Sequence, residues 1–347
     1  MHVASGREWR GGQRQVLLLA RALAANPAVD VLVVTGRKTL LAERLTAAGV
    51  RVSDVGWGPG LDPRVAAHLF RELEPGSLVH AHDGHAHALA DAVARLRHVP
   101  VVVSRRDIPA IRHPRRYERA AAIIAISRAV RRAVLDSGVP EDRIHVVPDG
   151  VDLDAVLPAR ASTTDAPPHL VCMAALKPVK GVDVLLEAAA LIKRRRPEVR
   201  WTVLGDGPER GRLEARRATL GLADTVTFAG FVADPLTTLM GATVAVQPSR
   251  REALGSSVLD ALALGVPVVA SDVDGLPEAL AWGGGVLVPP EDPQALAAAV
   301  ERILADPALH ASLSTAGTSA ARHFGTDQLV AGTLDVYRSI MQQPSSR

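Results

Sequence analysis

Short apolar runs alternate with longer stretches of helical periodicity along the first half of this sequence. The apolar runs predict strands at residues 2–4, 31–35, 50–52, 78–81, 99–104, 123–126 and 144–147. Amphipathic stretches between them predict helices, among them residues 13–25, 40–48 and 128–137. Strands that are apolar throughout are typical of a parallel sheet covered by helices on both faces. This half therefore predicts a doubly wound α/β domain.

A second alternating series follows after a break. Its strands are predicted at residues 170–173, 201–204, 226–228, 244–247, 266–270 and 286–288, and its helices include residues 182–193, 293–304, 308–323 and 327–341. Residues 158–168 have no periodicity and carry three prolines, which is typical of a domain linker. We expect Rossmann-like domains at residues 1–157 and 168–325 that face each other across a cleft, and a final helix and tail at 326–347 that crosses back.

Composition agrees with a globular α/β protein. The chain has 347 residues, of which 48% are hydrophobic and 22% charged, and this length favours two domains over one. Its single cysteine, Cys172, excludes an intrachain disulfide and is expected to be a buried strand thiol. No apolar run approaches the ~18 residues of a spanning helix, and the start lacks the apolar core of a signal peptide, so a cytoplasmic protein is predicted.

The positive charge is concentrated in one part of the chain. The formal net charge is +3, and nine arginines lie between Arg105 and Arg132. Few aromatic residues are interleaved with them, so a nucleic-acid platform is not predicted. The cluster is typical of a solvated face, of a surface for an acidic acceptor, or of peripheral attachment to the inner face of an anionic membrane.

Residues 250–278 contain a cluster of acidic and glycine positions. Glu252 lies in a predicted loop before residues 255–257 (G-S-S), Asp260 lies in the helix that these residues begin, and a second acidic loop ends at Glu278. Open α/β sheets bind ligands at the carboxyl ends of their strands, and helix N-termini favour anions. The stretch therefore predicts a site for a phosphorylated, hydroxyl-rich ligand.

Two further segments bear on the same site. Lys180 and Gly181 come between a strand and a helix, where a cation and a close backbone approach would hold a diphosphate, although a plain turn has the same sequence. The G-D-G-P segment at residues 205–208 lacks the third glycine of a dinucleotide fingerprint, so an oxidoreductase is not predicted. Ser257 and Asp260 also fit the S-x-x-[DE] capping pattern, in which the carboxylate would serve the helix itself.

A histidine-rich run, H-A-H-D-G-H-A-H at residues 80–87, leaves three alternatives open. It could be a metal site, a polar loop that faces the cleft after its strand, or a solvated turn. Its order differs from the H-x-H-x-D-H run of binuclear zinc hydrolases. The D-x-D tripeptides at residues 152–154 and 272–274 match a pattern used for Mg²⁺ or Mn²⁺, but such tripeptides are common. We therefore predict no metal site.

Taken jointly and in order, the motifs resemble the retaining glycosyltransferases of family 4, which have the two-Rossmann GT-B fold. The resemblance covers nearly the whole chain. The matching segments are Gly11-Gly12 (N-terminal glycine loop), 125–127 (A-x-S), 147–152 (v-x-N-G-V-D), 176–181 (G-R-L-x-x-x-K-G), 205–208 (G-x-G-P), 252–260 (E-x7-E) and 275–278 (G-G-x-x-E).

The resemblance implies a hexosyltransferase of cell-envelope glycan biosynthesis that needs neither metal nor cofactor. A UDP- or GDP-linked sugar would be transferred to a glycan, lipid-linked or small-molecule acceptor by same-face internal return, in which the departing phosphate oxygen helps to deprotonate the acceptor. The implied catalytic residues are Glu252, Lys180, Arg106 and Asp107; the donor-binding residues are Gly12, Lys177, Gly181, Gly205, Gly230, Gly255, Ser256, Ser257, Asp260 and Glu278; the acceptor-binding residues are His82, Asp83 and Arg105. Within this set, Glu252 would contact the sugar hydroxyls, Lys180 the diphosphate and Asp260 the ribose.

The chain departs from the family pattern at three places. Ala175 replaces the arginine that accompanies the lysine, and Asp260 replaces the second glutamate of E-x7-E. The family's active-site histidine after the fifth strand is replaced, with Arg106 or Asp107 nearest to its place. The cations that could substitute for the missing arginine are Lys177, Arg250 and Arg251. Two alternatives stay open: a catalytically weak relative that binds a nucleotide sugar, and a nucleotide-sugar 2-epimerase of the same fold.

Overall fold

The computed structural model describes residues 1–58, 60, 62–108, 111, 113–156 and 167–342. Its contacts divide the chain into two compact units. The N-terminal unit comprises Met1–Gly150 together with residues 326–342, and the C-terminal unit comprises Val151–Gly325. Most of the predicted linker, residues 158–166, lies outside the described residues.

The N-terminal unit contains a seven-stranded sheet with the order β3-β2-β1-β4-β5-β6-β7, in which all neighbours are parallel. Its strands are β1 (His2–Ala4), β2 (Leu32–Gly36), β3 (Arg51–Val55), β4 (Val79–Ala81), β5 (Val101–Arg105), β6 (Ala122–Ala125) and β7 (Ile144–Val146). Its first helices are α1 (Gly11–Ala24), α2 (Leu40–Ala47), α3 (Pro63–Glu72), α4 (Gly84–Arg97), α5 (Pro114–Glu118) and α6 (Arg128–Leu135). The strand order reverses between β1 and β4, which makes this pair the topological switch point.

The C-terminal unit contains a six-stranded parallel sheet with the order β10-β9-β8-β11-β12-β13. Its strands are β8 (His169–Met173), β9 (Arg200–Leu204), β10 (Val226–Gly230), β11 (Val244–Gln247), β12 (Val268–Ser271) and β13 (Gly285–Val288). Its helices are α7 (Leu153–Val156), α8 (Val182–Lys193), α9 (Arg210–Thr219), α10 (Leu236–Met240), α11 (Ser256–Leu264), α12 (Leu276–Ala279), α13 (Pro293–Ala305) and α14 (Pro307–Ala321). The switch point lies between β8 and β11.

Apolar side chains of both strands and helices fill the two cores, as the sequence predicts. Val33, Ile124 and Leu19 are buried in the N-terminal unit, and Trp201 and Leu185 are buried in the C-terminal unit. The two predicted Rossmann-like sheets are therefore confirmed.

Cys172 lies within β8 and is buried, as predicted for a strand thiol. Burial raises the pKa of the thiol to about 12, so it stays protonated at neutral pH.

A last helix, α15 (Thr326–Met341), belongs to the N-terminal unit although it follows the whole C-terminal unit in sequence. Leu329, Val336 and Tyr337 lie in the same buried cluster as Leu19 and Leu23 of α1. The chain thus leaves the N-terminal unit at Gly150 and returns to it at residue 326. Among the described helices, none is both long enough and apolar enough to span a membrane.

Candidate active site

The switch point of the C-terminal unit brings two predicted site loops together. The loop after β8 leads to Lys180, and the loop after the neighbouring β11 leads to Glu252. The Arg250 amide donates to the Val179 carbonyl at 2.8 Å, which ties the loops to each other. Ligands of doubly wound sheets bind at this edge, so the two predicted residues share the expected position.

Lys180 and Glu252 form an ion pair in which a single oxygen of the Glu252 carboxylate accepts all the hydrogen bonds from described side chains. Lys180 Nζ donates to Glu252 Oε2 at 2.7 Å, and the same oxygen accepts from Gln247 Nε2 at 3.0 Å and from Ser249 Oγ at 3.1 Å. The side chains of Lys180 and Glu252 are 23% and 12% exposed. Glu252 Oε1 accepts no hydrogen bond from the part of the chain that the structure describes, so this oxygen is available to a ligand hydroxyl.

Gln247 and Ser249 belong to this site, although the sequence reasoning did not select them. Gln247 is buried at the end of β11, and its Oε1 accepts from Ser257 Oγ at 3.0 Å. Gln247 therefore connects the first turn of α11 to the Glu252 carboxylate. A glutamine that ends an otherwise apolar strand is the signal that sequence analysis could have used.

Gly181 is required by a close approach of the two loops. Its φ of +62° is in the left-handed region, and a Cβ built there would lie 1.9 Å from the Pro248 carbonyl oxygen. Gly255 has φ +89° and precedes α11 as its N-cap. Gly205 and Gly230 lie at the ends of β9 and β10, where the Gly205 amide donates to the Gly230 carbonyl at 2.8 Å.

Helix α11 begins at Ser256 without a side-chain cap. The capping-box alternative for Ser257 is wrong, because Gly255 is the N-cap and the Ser257 hydroxyl donates to Gln247 instead. The first amides of α11 thus point towards the carboxyl edge of the sheet, where an anion is favoured. Asp260 is buried on the same helix, and Glu278 lies in the first turn of α12 after β12.

The three cations proposed as substitutes for the missing arginine at Ala175 differ in their contacts. Arg250 makes two bonds to Asp183, at 2.9 and 3.0 Å, and one to Glu291 at 2.8 Å. Arg251 Nε donates to Asp274 at 3.2 Å. Lys177 is exposed and has no ion-pair partner in the described residues. Lys177 is therefore the substitute that a diphosphate could engage without breaking an existing pair.

Asp274 holds the backbone of Glu252 and was also missed by the sequence reasoning. Its Oδ2 accepts from the Glu252 amide at 3.1 Å, and the Gly275 amide donates to the Glu252 carbonyl at 3.0 Å. Asp274 has φ +47°, a left-handed conformation that costs a residue with a side chain about 1–2 kcal/mol. The contacts with Glu252 and Arg251 keep it there.

At the switch point of the N-terminal unit, Asp83 joins the loops after β1 and β4. Its carboxylate accepts from the Ser5 amide at 2.7 Å and from Ser5 Oγ at 2.5 Å. It also caps α4 by accepting from the amides of His85 and Ala86. These four bonds use the acceptor capacity of Asp83 within the protein. Gly12, in the first turn of α1, has nothing within 4 Å of a built Cβ, so a ligand could approach its backbone.

His82 and Arg106 come together with Asp149, a third residue that the sequence reasoning did not select. Arg106 Nε donates to Asp149 Oδ1 at 2.9 Å, and Arg106 Nη1 lies 3.4 Å from His82 Nδ1. Burial, together with His80 and Arg106, holds the pKa of His82 well below 6.5. Burial also raises the pKa of Asp149, against the opposing effect of Arg106.

Arg105 and Asp107 point away from this group. Arg105 Nε pairs with Asp107 Oδ1 at 2.8 Å, and its Nη1 donates to the Tyr117 hydroxyl at 3.2 Å. The Asp107 side chain is 61% exposed. Of the two residues nearest to the position of the family histidine, Arg106 is thus the one held among other site residues.

Only His82 and Asp83 of the histidine run lie in the polar loop that the sequence analysis considered, because the run begins within β4 and continues into α4. His80 is buried in β4, where its ring bonds to the Tyr337 hydroxyl at 2.6 Å and to Ser104 Oγ at 2.8 Å. Residues 84–97 form α4, because Asp83 caps an alanine-rich amphipathic stretch that the histidine pattern obscured. His87 is buried on that helix against the Tyr117 ring, with the centroids 4.6 Å apart.

One group of described residues has the spacing of metal ligands. His2, His80 and His82 are buried, and one ring nitrogen of each lies within 4.8 Å of the others. Both ring nitrogens of His80 and of His82 already take part in contacts with protein groups. A metal ion could bind here only by displacing those contacts, and the Arg106 guanidinium beside His82 would repel it.

Comparison with known proteins identifies the family. Residues 9–155 match the family described as Glycosyltransferase Family 4, and residues 159–320 match Glycosyl transferases group 1. A D-inositol 3-phosphate glycosyltransferase from Acidothermus cellulolyticus is 32% identical over 94% of this chain and 85% of the relative. The chain is a family 4 glycosyltransferase.

Two further matches add detail to this assignment. A GDP-mannose-dependent alpha-(1-6)-phosphatidylinositol monomannoside mannosyltransferase from Mycolicibacterium smegmatis is 33% identical over 60% of the chain and 58% of that relative. The Anabaena protein HepE, solved in complex with UDP and glucose, superimposes with a TM-score of 0.84 over 97% of this chain and 98% of that one, at 19% identity. The fold of this family 4 glycosyltransferase is GT-B, as the sequence predicted.

Proposed function

We propose that this protein transfers a hexose-type sugar, with retention, from a UDP- or GDP-linked donor to a hydroxyl of a phosphorylated polyol or of its lipid-linked form. The observation that carries the proposal is the Lys180–Glu252 pair at the switch point of the C-terminal unit. A fixed cation and a carboxylate with one available oxygen match the two ends of a nucleotide sugar, its diphosphate and its sugar hydroxyls. The names of the relatives, a GDP-mannose-dependent enzyme and inositol phosphate glycosyltransferases, support the donor and acceptor classes.

In this mechanism the C-terminal unit binds the donor and stabilises the departing diphosphate. Glu252 Oε1 accepts from a sugar hydroxyl, which fixes the anomeric carbon, while Lys180, Lys177 and the first amides of α11 face the phosphates. As the bond from the anomeric carbon to the phosphate oxygen breaks, negative charge grows on that oxygen, and preorganised donors stabilise it most when they need not move. The acceptor oxygen bonds to the same face of the sugar, and its proton passes to the departing diphosphate. We propose that these groups act without a metal ion.

Donor binding is tested by thermal unfolding of the full chain with UDP-, GDP-, ADP- and TDP-sugars. A donor at 100 times its Kd stabilises the protein by about 2.7 kcal/mol, so one of the panel is expected to raise Tm by several degrees. The Lys180→Gln variant is expected to lose most of that shift, whereas Lys193→Gln, which removes a cation from the last turn of α8, keeps it. A panel that leaves Tm unchanged contradicts the proposal. Conversion of the donor sugar into its epimer when no acceptor is present would instead favour the alternative function, a nucleotide-sugar 2-epimerase.

Asp274 variants test whether the Glu252 backbone has to be held for transfer. Asp274→Ala removes an acceptor of the Glu252 amide, and loss of a hydrogen bond to a charged group is expected to lower kcat by about tenfold or more. Asp274→Asn is expected to retain activity within about threefold, because asparagine tolerates the left-handed conformation and its carbonyl oxygen can accept the same bond. Asp274→Gly relieves the backbone strain, so it should unfold at a higher temperature than the alanine variant and still be slow. Equal rates for the asparagine and alanine variants would contradict this role.

A further inference from the structure

Arg106 is a largely buried cation that is contacted by Asp149 on one side and by His82 on the other. Its side chain is 13% exposed, its Nε is engaged by Asp149, and its Nη1 faces His82. All three residues follow strands of the N-terminal sheet, at the carboxyl edge where doubly wound folds bind ligands. Its Nη2 has no partner among residues 1–58, 60, 62–108, 111, 113–156 and 167–342.

The contacts of Arg106 define a one-way chain of hydrogen bonds. A guanidinium only donates, so His82 Nδ1 must be the acceptor and His82 Nε2 must carry the ring proton. That proton is donated to His2 Nδ1 at 2.9 Å. With burial as the main cause, the pKa of His2 is lowered to about 3, so both rings stay neutral at physiological pH. His82 is thereby a fixed acceptor for Arg106 and not a competing cation.

Asp149 is fixed in turn by its neighbour in sequence. The side-chain amide of Gln15 exchanges two hydrogen bonds of 2.8 Å with the backbone of Gly150. The Asp149 carboxylate, 7% exposed, therefore reaches Arg106 from an anchored backbone. A buried ion pair is weak evidence for stability, because the desolvation of both charges offsets their attraction. A more direct explanation of the Arg106–Asp149 pair is that it fixes the orientation of the guanidinium and therefore the direction of its Nη2 group.

On this basis we propose that Arg106 binds the phosphate of the acceptor through Nη2, and that Asp149 and His82 position it. The available Nη2 matches an anionic oxygen, and guanidinium–phosphate bonds are among the stronger charge-assisted hydrogen bonds. The N-terminus of α1 follows β1, which is next to the β4 strand that His82 follows, so a helix N-terminus at the same edge of the sheet also favours an anion there. The inference rests on the proposed function, since it names the acceptor group that this transferase selects. The phosphate belongs either to a soluble polyol phosphate or to a lipid headgroup.

The test compares ligands with and without a net negative phosphate group on the full chain. D-inositol 3-phosphate, unphosphorylated inositol, and phosphatidylcholine vesicles with or without phosphatidylinositol are titrated into the wild type and into the Arg106→Gln/Asp149→Asn double variant. The double variant removes both charges and so leaves no buried carboxylate unpaired. The wild type is expected to bind the anionic ligand of one of the two sources at least tenfold more tightly than its control, which is unphosphorylated inositol for the soluble ligand and vesicles of zwitterionic phosphatidylcholine alone for the lipid. The double variant is expected to lose about tenfold or more of that preference.

Two controls separate this inference from its alternatives. Arg115→Gln removes a charge of the same sign from an exposed position on α5, so an equal loss in that variant would show general attraction and overturn the role of Arg106. UDP and GDP titrations report on the donor site, which contains none of the substituted residues, and are expected to be the same in all variants. If neither nucleotide binds the wild type, the proposed function fails. If one binds but the phosphate preference is absent or survives in the double variant, only this inference fails.

Asp149→Asn alone is expected to raise KM for the phosphorylated acceptor about threefold or more with kcat little changed.

Discussion

Replacing Glu252 by alanine is expected to lower the rate of sugar transfer by about 10²–10³-fold, the usual effect of removing one preorganised group at a reacting centre. The variant loses the oxygen available to a sugar hydroxyl and leaves Lys180, Gln247 and Ser249 without their shared acceptor. Glu252→Gln keeps the shape and part of the hydrogen bonding but removes the charge, so it should lie between the alanine variant and the wild type. The measurement is kcat/KM for transfer, with Tm as the check of folding.

Glu291 provides a matched control for the loss of a carboxylate. Like Glu252, it forms an ion pair with a basic side chain, in this case Arg250 of the loop that contains Glu252. Unlike Glu252, its side chain is 65% exposed. Glu291→Ala is expected to change the rate by less than about threefold, because exposed ion pairs contribute little. If Glu252→Ala keeps more than a tenth of the wild-type rate, the assignment of the sugar-binding carboxylate is wrong.

Replacing Gly181 by alanine is expected to cost far more stability than a left-handed glycine alone explains. The new methyl group would lie 1.9 Å from the Pro248 carbonyl oxygen, so the loops after β8 and β11 would have to separate. The backbone conformation itself costs about 1–2 kcal/mol for a residue with a Cβ, and the overlap adds to that cost. We expect a fall in Tm at least twice that of a strained but uncrowded control, together with loss of the donor-induced Tm shift.

Gly221→Ala is that control. Gly221 has φ +67°, almost the value of Gly181, but a Cβ built there has no neighbour within 4 Å. The difference in Tm between the two variants therefore measures the loop contact and not the backbone angle. Equal shifts in Tm for the two variants would mean that the loops can separate at no cost.

The architecture could be predicted from the sequence because the central strands of both units, such as β2 and β11, are buried on both faces and are therefore largely apolar. Val244–Gln247 and the helix Val182–Lys193 have the bounds that the apolar pattern predicts. The predicted strand at residues 266–270 instead begins at Val268, since Pro267 has no amide hydrogen for the ladder. The sequence analysis gives no bounds for the helices α3 and α4 that lie between predicted strands, and in α4 the histidines of residues 80–87 obscure the helical spacing.

The candidate site was predictable only in part. Strand order places the loops of Lys180 and Glu252 side by side, and this adjacency follows from a doubly wound sheet. The supporting residues Gln247, Asp274 and Asp149 were not found, because their roles depend on contacts that no local pattern contains. Asp149 joins Arg106 across 43 positions of sequence. Contacts between residues so distant in sequence can be identified only in the folded chain.

The return of α15 to the N-terminal unit also affects the order in which this protein can be completed during synthesis. Residues 326–342 supply part of the core around α1, and the Tyr337 hydroxyl bonds to His80, whose ring lies 4.1 Å from that of His82. Domains generally fold as units as the chain emerges from the ribosome. Here the core of the N-terminal unit cannot be completed, and an apolar face of α1 stays uncovered, until the C-terminal unit and α15 have been synthesised. The N-terminal unit, which we propose binds the acceptor, is thus translated before the C-terminal unit and completed after it.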